Sequence, residues 1–343
     1  MSGVAGPVQL LVLGGGGFLG RHVATAAVRD GHDVTVFSRA GTAPVDGVEA
    51  LAGDRYDDLT ALHGRTWDAV LDTFSDPDAV SATASLLSGS VGTYGYVSGM
   101  SVYHPAGPAV PGAGDPVRRE GREGEATEDD PLQERSLAKL AAEAALAERF
   151  DGPAPILRVG ILVGPHDPTD RFTWWPVRLA RALAGHAERT VLAPGDPDRV
   201  VQYTDARDVA EFAVAVLDRR ADGVVDTVGP GRAQPLSAVL DACLRAAGGA
   251  PGDVDWVWAG ERYLRENLRD VEEEQRPLWF PEDQIPQDAI DASGAITQGL
   301  RFRPAEETAR DVLAQLRAED RTELAAGLDP DRERALVEGW VDV

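Results

Sequence analysis

The sequence LGGGGFLG, residues 13–20, stands between a strand-sized apolar run, Val8–Leu13, and an amphipathic helical stretch that leads to a second apolar run ending at Arg39. Apolar run, glycine turn, helix and apolar run spell a βαβ unit over Val8–Arg39. Gly14, Gly17 and Gly20 fall at offsets 0, +3 and +6, with Gly15, Gly16, Phe18 and Leu19 completing the turn. A side chain in such a turn blocks a diphosphate from the backbone N–H groups and from the positive end of the helix. Glycine at this spacing, between a strand and a helix, therefore points to dinucleotide binding, the alternative being a tight turn with no ligand.

The second run ends in Ser38 and Arg39, where an acidic residue would suit the two ribose hydroxyls of NAD. An arginine instead favours charge-assisted bonds to a 2′-phosphate, so the expected cofactor is NADP(H), with NAD(H) as the alternative. Asp54 and Arg55 follow a short third strand and are placed at the adenine end. Residues 67–75 read as a fourth strand, a helix runs on through Leu87, and residues 92–103 read as a fifth strand. Strands alternating with helices predict an α/β fold, a Rossmann-type doubly wound parallel sheet with a smaller C-terminal substrate-binding domain. Ligands of such sheets lie at the carboxyl ends of the strands, which assigns Thr73, Phe74, Ser98 and Gly99 to the ribose and nicotinamide, with core packing as the alternative for Phe74.

The formal net charge of −24 repels phosphate backbones and anionic lipid, so neither nucleic acid nor a membrane is an expected partner. Cys243 is the sole cysteine, and the six histidines lack metal-ligand spacing, which leaves no metal site and fits the reducing cytoplasm. The expected partner is a small-molecule substrate, with monomer and homodimer both open.

Lys139 is the sole lysine of a chain with thirty-three basic residues, and it sits in the helical stretch QERSLAKLAAEAALAERF. The order of LGGGGFLG, GDR, VSGMSVY, the Lys139 helix and LRVGILVGP resembles the extended short-chain dehydrogenases/reductases, over roughly Val8 to Leu217. The resemblance implies that Lys139 holds the nicotinamide ribose and that Val159 lines the cofactor. It also implies a catalytic Ser or Thr and a tyrosine four residues before the lysine. Here those positions hold Gly99 and Arg135. A guanidinium, with a pKa above ~12, does not replace a phenol as proton donor, although it stabilises negative charge. Ser98, Ser101, Tyr103, His104, water and the substrate itself remain as proton sources.

The catalytic group is accordingly read as Lys139, Ser98 and Arg135, and the activity as NADPH-dependent reduction of a carbonyl on an aromatic polyketide of angucyclinone type, in antibiotic biosynthesis. A phenol beside the ketone would supply the proton. The alternatives are a nucleotide-sugar epimerase or dehydratase, and a non-catalytic NADP(H)-sensing protein.

Substrate handling is expected from Tyr103, His166, Arg171, Phe172, Trp174, Trp175, Gln202 and Tyr203, with core packing as the alternative for the two tryptophans. Trp256, Trp258, Trp279 and Phe280 are candidate roof residues under the same alternative. The Pro- and Gly-rich stretch 105–131 reads as a long loop placed to act as a lid. The expected boundaries are 1–168 plus 201–228 for the dinucleotide-binding domain and 169–200 plus 229–343 for the substrate-binding domain. A last helix is expected from about Glu306 to Ala318.

Overall fold

The computed structural model describes residues 6–103, 112–115, 117, 131–232, 234–272, 275–279 and 290–340. The chain forms two compact units: Met1–Gly160 with Ala206–Gly231 and Ala289–Arg301, and Ile161–Asp205 with Arg232–Asp288 and Phe302–Val343.

The first unit opens with β1 (Gln9–Leu13), α1 (Phe18–Arg29), β2 (Asp33–Ser38), β3 (Val48–Ala52), β4 (Trp67–Asp72), α2 (Pro77–Leu87), β5 (Val91–Gly99), α3 (Pro131–Arg149) and β6 (Pro155–Val159). The chain then passes through the second unit as β7 (Leu162–Val163), α4 (Trp174–Leu183), β8 (Thr190–Pro194), β9 (Val200–Val201) and β10 (Thr204–Asp205). It returns to the first for α5 (Ala206–Asp218) and β11 (Gly223–Thr227) and leaves again for β12 (Gln234–Pro235), α6 (Leu236–Ala246), β13 (Asp255–Ala259) and α7 (Glu261–Asn267). The short α8 (Ser293–Thr297) belongs to the first unit, and α9 (Ala305–Ala318) and α10 (Pro330–Gly339) complete the second.

The first unit is a seven-stranded parallel sheet in the order β11-β6-β5-β4-β1-β2-β3. Strand order reverses between β1 and β4, so the crevice that takes ligands in such sheets opens at their carboxyl ends. Leu10 to Leu13 of β1 are all buried, the continuous apolar run that a strand covered on both faces needs. α1 packs against α5 and α2 against α3. Right-handed crossovers that run in opposite directions from β1 put these helix pairs on opposite faces of the sheet. Both helices carry small buried residues, Ala24 and Ala27 on α1 and Ala210 and Ala213 on α5. Pro77 and the Asp76 carboxylate, which accepts the Ala79 N–H at 2.9 Å, start α2.

The second unit holds three small two-stranded sheets, β7 with β10, β8 with β13 and β9 with β12. Helices α4, α6 and α9 pack on one another around a core that includes Phe172, Trp175, Leu179, Val191, Val239 and Leu240.

The unit boundaries differ from the expected domain boundaries. The stretch LRVGILVGP is divided between β6 of the sheet, which ends at Val159, and β7 of the second unit. A Cβ at Gly160 would press on Val228 and the Met100 sulfur. Because β7 pairs with β10, residues 161–168 and 201–205 join the second unit. Segment 289–301 joins the first, where α8 packs against β11 and Ile290 against Met100, Val102 and Val228. Strand five ends at Gly99 and gives way to a 3-10 turn at Met100–Val102, and strand four ends at Asp72. No helix among the described residues is long and apolar enough to cross a membrane.

Candidate functional site

The glycine turn joins the end of β1 to α1 and is tied to its neighbours through backbone bonds. Gly14 N–H donates to the Phe37 carbonyl at 3.1 Å and Gly17 N–H to the Gly14 carbonyl at 2.9 Å. Gly14 has φ of +91°, and a Cβ there would collide with Thr73 Oγ1. A Cβ on Gly15 would strike Val36, and one on Gly20 the Gly14 carbonyl. Gly16 is different, since a Cβ there meets nothing within 4 Å. Protein packing therefore does not explain why position 16 is bare, and a ligand approaching the turn closely would require it to be so.

α1 starts with Gly17 as N-cap, without a side-chain cap bond and without an acidic residue in its first turn. The backbone N–H groups of Phe18 and Leu19 thus head a helix whose positive end is open to an anion. Phe18 sets its ring edge-on to His22, with centroids 5.5 Å apart. Ser38 ends β2, and Arg39 is exposed just beyond it. Asp54 accepts the Tyr56 N–H through Oδ1 at 2.9 Å.

Arg55, expected at the cofactor, turns inward instead. Its guanidinium grips the buried Asp72 carboxylate with two bonds of 2.9 and 2.7 Å and donates to Thr83 Oγ1 at 2.9 Å and the Ala79 carbonyl at 3.2 Å. Tyr94 donates its phenol to the same carboxylate at 2.7 Å, and Asp72 Oδ1 accepts the Phe74 N–H at 2.9 Å. This network fixes the end of β4. The Thr73 hydroxyl donates to the Leu13 carbonyl at 3.1 Å, which locks the β4 end to the glycine turn.

Ser98, on β5, is 1% exposed, and among the described residues its Oγ has no hydrogen-bond partner. A buried hydroxyl left so is costly unless a ligand meets it. Gly99 follows, with room for a side chain, since its Cβ would lie 3.8 Å from Ser101 Oγ and 3.9 Å from the Val159 carbonyl. Val159 ends β6 in register with Gly99. Lys139 reaches in from α3, 8% exposed, and donates to the Val97 carbonyl at 2.6 Å, with its ammonium 5.0 Å over the Tyr96 ring. Burial pushes this ammonium down to about 8. Asp72 opposes that shift and Arg135, exposed one helical turn earlier, adds to it.

The bare Gly16, the uncapped start of α1 and the unpartnered Ser98 hydroxyl all lie in the unit whose sheet carries the switch point. They fit a dinucleotide. Gly14, Gly15, Gly16, Gly17, Phe18, Leu19, Gly20, Thr73, Phe74, Ser98, Lys139, Val159, Ser38, Arg39 and Asp54 all belong to this unit, on or just beyond the strand ends, at the start of α1 and on α3. Arg55 is the one expected cofactor residue that the packing takes away.

Tyr103 also departs from expectation. Its phenol donates to Asp226 Oδ1 at 2.6 Å beneath the Arg158 guanidinium, itself paired with Glu143. Burial and the Asp226 bond raise that phenol well above its ordinary range, so it is not a ready acid. His104 and Phe280 lie outside the described residues, as does most of the proposed lid at 105–131.

His166, Arg171, Phe172, Trp174, Trp175, Gln202 and Tyr203 belong to the second unit. Phe172 and Trp175 are fully buried, and Trp174 and Tyr203 nearly so. Trp175 donates its indole N–H to the Pro277 carbonyl at 3.1 Å. Phe172 packs on Tyr203, with centroids 5.5 Å apart. Core packing thus accounts for these four. Gln202 is half-buried, and His166 is held by Gln315 and Glu319, its backbone N–H donating to Gln315 Oε1 at 3.0 Å. Arg171 donates to the Arg276 carbonyl at 3.3 Å. Of the expected roof, Trp279 is buried, and Trp256 and Trp258 pack partly buried against the second-unit core.

Two features escaped the sequence. Asp72 signals itself only as an acid inside the apolar run WDAVLDTF, and its partner Arg55 lies seventeen positions away. Tyr56, beside Asp54, carries no signal beyond its type.

Residues 10–94 match the family model described as the NAD dependent epimerase/dehydratase family. No curated protein matches the chain significantly. Similar solved structures include the Bordetella bronchiseptica enzyme WbmG in complex with NAD and UDP, at a TM-score of 0.63 and 20% identity, covering 96% of this chain and 100% of that one. The UDP-N-acetylglucosamine 4-epimerase from Bacillus cereus aligns with a TM-score of 0.61 at 15% identity, over 90% of this chain and 96% of that one. MoeE5 in complex with UDP-glucose and NAD aligns at 0.59 and 19% identity, over 91% and 99%. These likenesses fix the Rossmann-type fold of the chain and, over residues 10–94, the sequence pattern of the NAD dependent epimerase/dehydratase family.

Proposed function

We propose that the chain is an NAD(P)-dependent oxidoreductase acting on a small polar substrate, with nucleotide-linked sugars as the substrate class. The observation that carries the cofactor is the open glycine cradle beside an uncapped helix start. The substrate class is supported by the sugar nucleotides named with the neighbouring structures.

When bound, a nicotinamide dinucleotide supplies reversible hydride transfer. Gly16 and Gly17 leave the N–H groups of α1 open to its diphosphate. Arg39 meets the adenosine ribose and favours a 2′-phosphate there, which makes NADP(H) the preferred form. The Lys139 ammonium uses one N–H on the Val97 carbonyl and has two more for ribose hydroxyls. Ser98 offers its hydroxyl to the nicotinamide or to the substrate oxygen. Arg135, on the same face of α3 as Lys139, stays charged and steadies an anionic oxygen without exchanging a proton. Proton exchange in this reading falls to a group other than residue 135.

That last point favours a second reading, reduction of a ketone on a hydroxylated aromatic polyketide. There the substrate phenol provides the proton, and the chain resembles the angucyclinone ketoreductase of simocyclinone biosynthesis in being of extended short-chain type without the usual tyrosine. General acid help is worth about 10²- to 10⁴-fold, so a chain without the tyrosine needs such a source.

Incubation with NADP⁺ or NAD⁺ and a panel of UDP- and dTDP-hexoses, and separately with NADPH and quinonoid polyketide ketones, divides the readings by product mass. An epimer or a dehydrated sugar supports the first. A ketone product carrying two more hydrogens supports the second. No product from any pair, with the dinucleotide bound, leaves a cofactor-sensing protein and overturns both.

A further inference from the structure

Lys139 is carried by α3, yet what receives its charge belongs to β5. Strand alternation sends Tyr94, Tyr96 and Ser98 to one face of the sheet. Tyr94 is engaged by the Asp72 carboxylate at 2.7 Å. Tyr96 is fully buried, and the Lys139 ammonium lies over its ring, 5.0 Å from the centroid. Among the described residues the ammonium makes one hydrogen bond, to the neutral Val97 carbonyl, and no ion pair. Two carboxylates act on it at longer range, Asp72 from β4 and Glu143 from α3, while Arg135 of α3 repels it. Both carboxylates are already gripped by guanidinium groups, Asp72 by Arg55 and Glu143 by Arg158. A buried ammonium with so little compensation tends to shed its proton. An aromatic face attracts a cation through its quadrupole, and more strongly where water is excluded.

The Tyr96 hydroxyl is not what the residue contributes. It is buried, and among the described residues it has no hydrogen-bond partner, which costs stability. Nor does it ionise to serve as a counter-ion. Burial raises the phenol well above its ordinary range, the Asp72 and Glu143 charges raise it further, and Arg55 opposes them only in part. The ring face remains.

We propose that Tyr96 is a positioning residue of this site, its ring face holding the Lys139 ammonium charged and seated on the Val97 carbonyl. The two other N–H groups of the ammonium then stay free for the nicotinamide ribose. The proposal rests on the dinucleotide reading above and adds a residue that acts on the cofactor only through Lys139. A carboxylate in the same place would hold the charge more firmly, but it would take the N–H groups that the ribose hydroxyls need. A ring face attracts the charge and leaves the donors free.

Because Lys139 is the sole lysine, lysine labelled with carbon-13 at Cε gives one resonance whose titration reads this ammonium alone. Wild type is compared with Tyr96→Phe and with a chain carrying trifluorophenylalanine in place of Tyr96, which keeps the ring but weakens the attraction of its face for a cation. Tyr96→Phe is expected to titrate within about 0.3 pH units of wild type, and the fluorinated chain about one pH unit lower. At pH 8 the fluorinated chain binds NADP⁺ about fivefold more weakly than wild type, following the loss of charged lysine. ADP, which lacks the nicotinamide ribose, binds all three chains alike. Equal lysine midpoints in Tyr96→Phe and the fluorinated chain, whether at the wild-type value or below it, overturn the proposal. A lowered midpoint with unchanged NADP⁺ affinity also overturns it, because the charge would then not serve the ribose. A wild-type chain that binds neither NADP⁺ nor ADP overturns the dinucleotide reading, and the positioning role falls with it.

Discussion

Lys139 works against the stability of the chain that carries it. Its ammonium is buried with one hydrogen bond, to the Val97 carbonyl, and titrates at about 8 against 10.5 in the open chain. A folded-state value below the unfolded one means that the native chain sheds this proton first. Stability therefore rises with pH between about 8 and 10.5, and the full penalty applies below 8. Lys139→Met is predicted to be more stable than wild type at pH 7 by about 2–3 kcal/mol. The gain shrinks through that window and is gone by pH 11, which paired urea unfolding curves measure, and the same variant loses dinucleotide affinity. Arg55 is the opposite case. Arg55→Leu leaves the Asp72 carboxylate buried without its cation and is predicted to cost about 3–5 kcal/mol in urea unfolding. Neither the Arg55–Asp72 pair nor the Tyr103–Asp226 pair was legible in the sequence, because partners 17 and 123 positions apart share no spacing rule. Lys139 drew notice in the sequence by its rarity, and the structure buries it against the Val97 carbonyl of β5.

The βαβ opening was readable because everything that specifies it is local: an apolar run, bare turn positions and a helix period follow one another within thirty residues or so. Where tertiary contact decides, pattern alone gave the wrong ends. LRVGILVGP carries no turn cluster at the unit boundary that falls within it, which is set by the pairing of β7 with β10 and by close packing at Gly160. The aromatic pair Trp174 and Trp175 fits a pocket and a core equally well by type, and packing decided for the core. The glycine turn yields a prediction that separates these causes. Gly20→Ala drives a Cβ into the Gly14 carbonyl and is predicted to lower the melting temperature and to lose ligand together. Gly16→Ala meets open space, so its melting temperature stays near wild type while dinucleotide affinity falls at least tenfold. Equal melts and equal affinity in Gly16→Ala would remove the ligand from the cradle.

The whole molecule is two interleaved units, and the chain passes from one to the other at Gly160, Asp205, Gly231, Asp288 and Arg301. No single stretch of sequence holds the parallel sheet complete. Residues 1–160 alone lack α5, which covers α1, and β11, which pairs the edge of β6. That fragment is predicted to aggregate or to unfold without cooperativity, whereas a fragment that also carries 206–231 on a short linker regains a sigmoidal melt. The sequence leads one to expect 201–228 to rejoin the first domain, whereas the compact units place 206–231 and 289–301 with it, and the helix of the latter segment is too short to show a period. A crystal structure with NADP⁺ bound tests the central claim most directly. The diphosphate should lie against Gly16 and the start of α1, with the nicotinamide ribose within hydrogen-bond distance of Lys139 Nζ. A dinucleotide seated elsewhere, or a ribose out of reach of Lys139, would contradict the account.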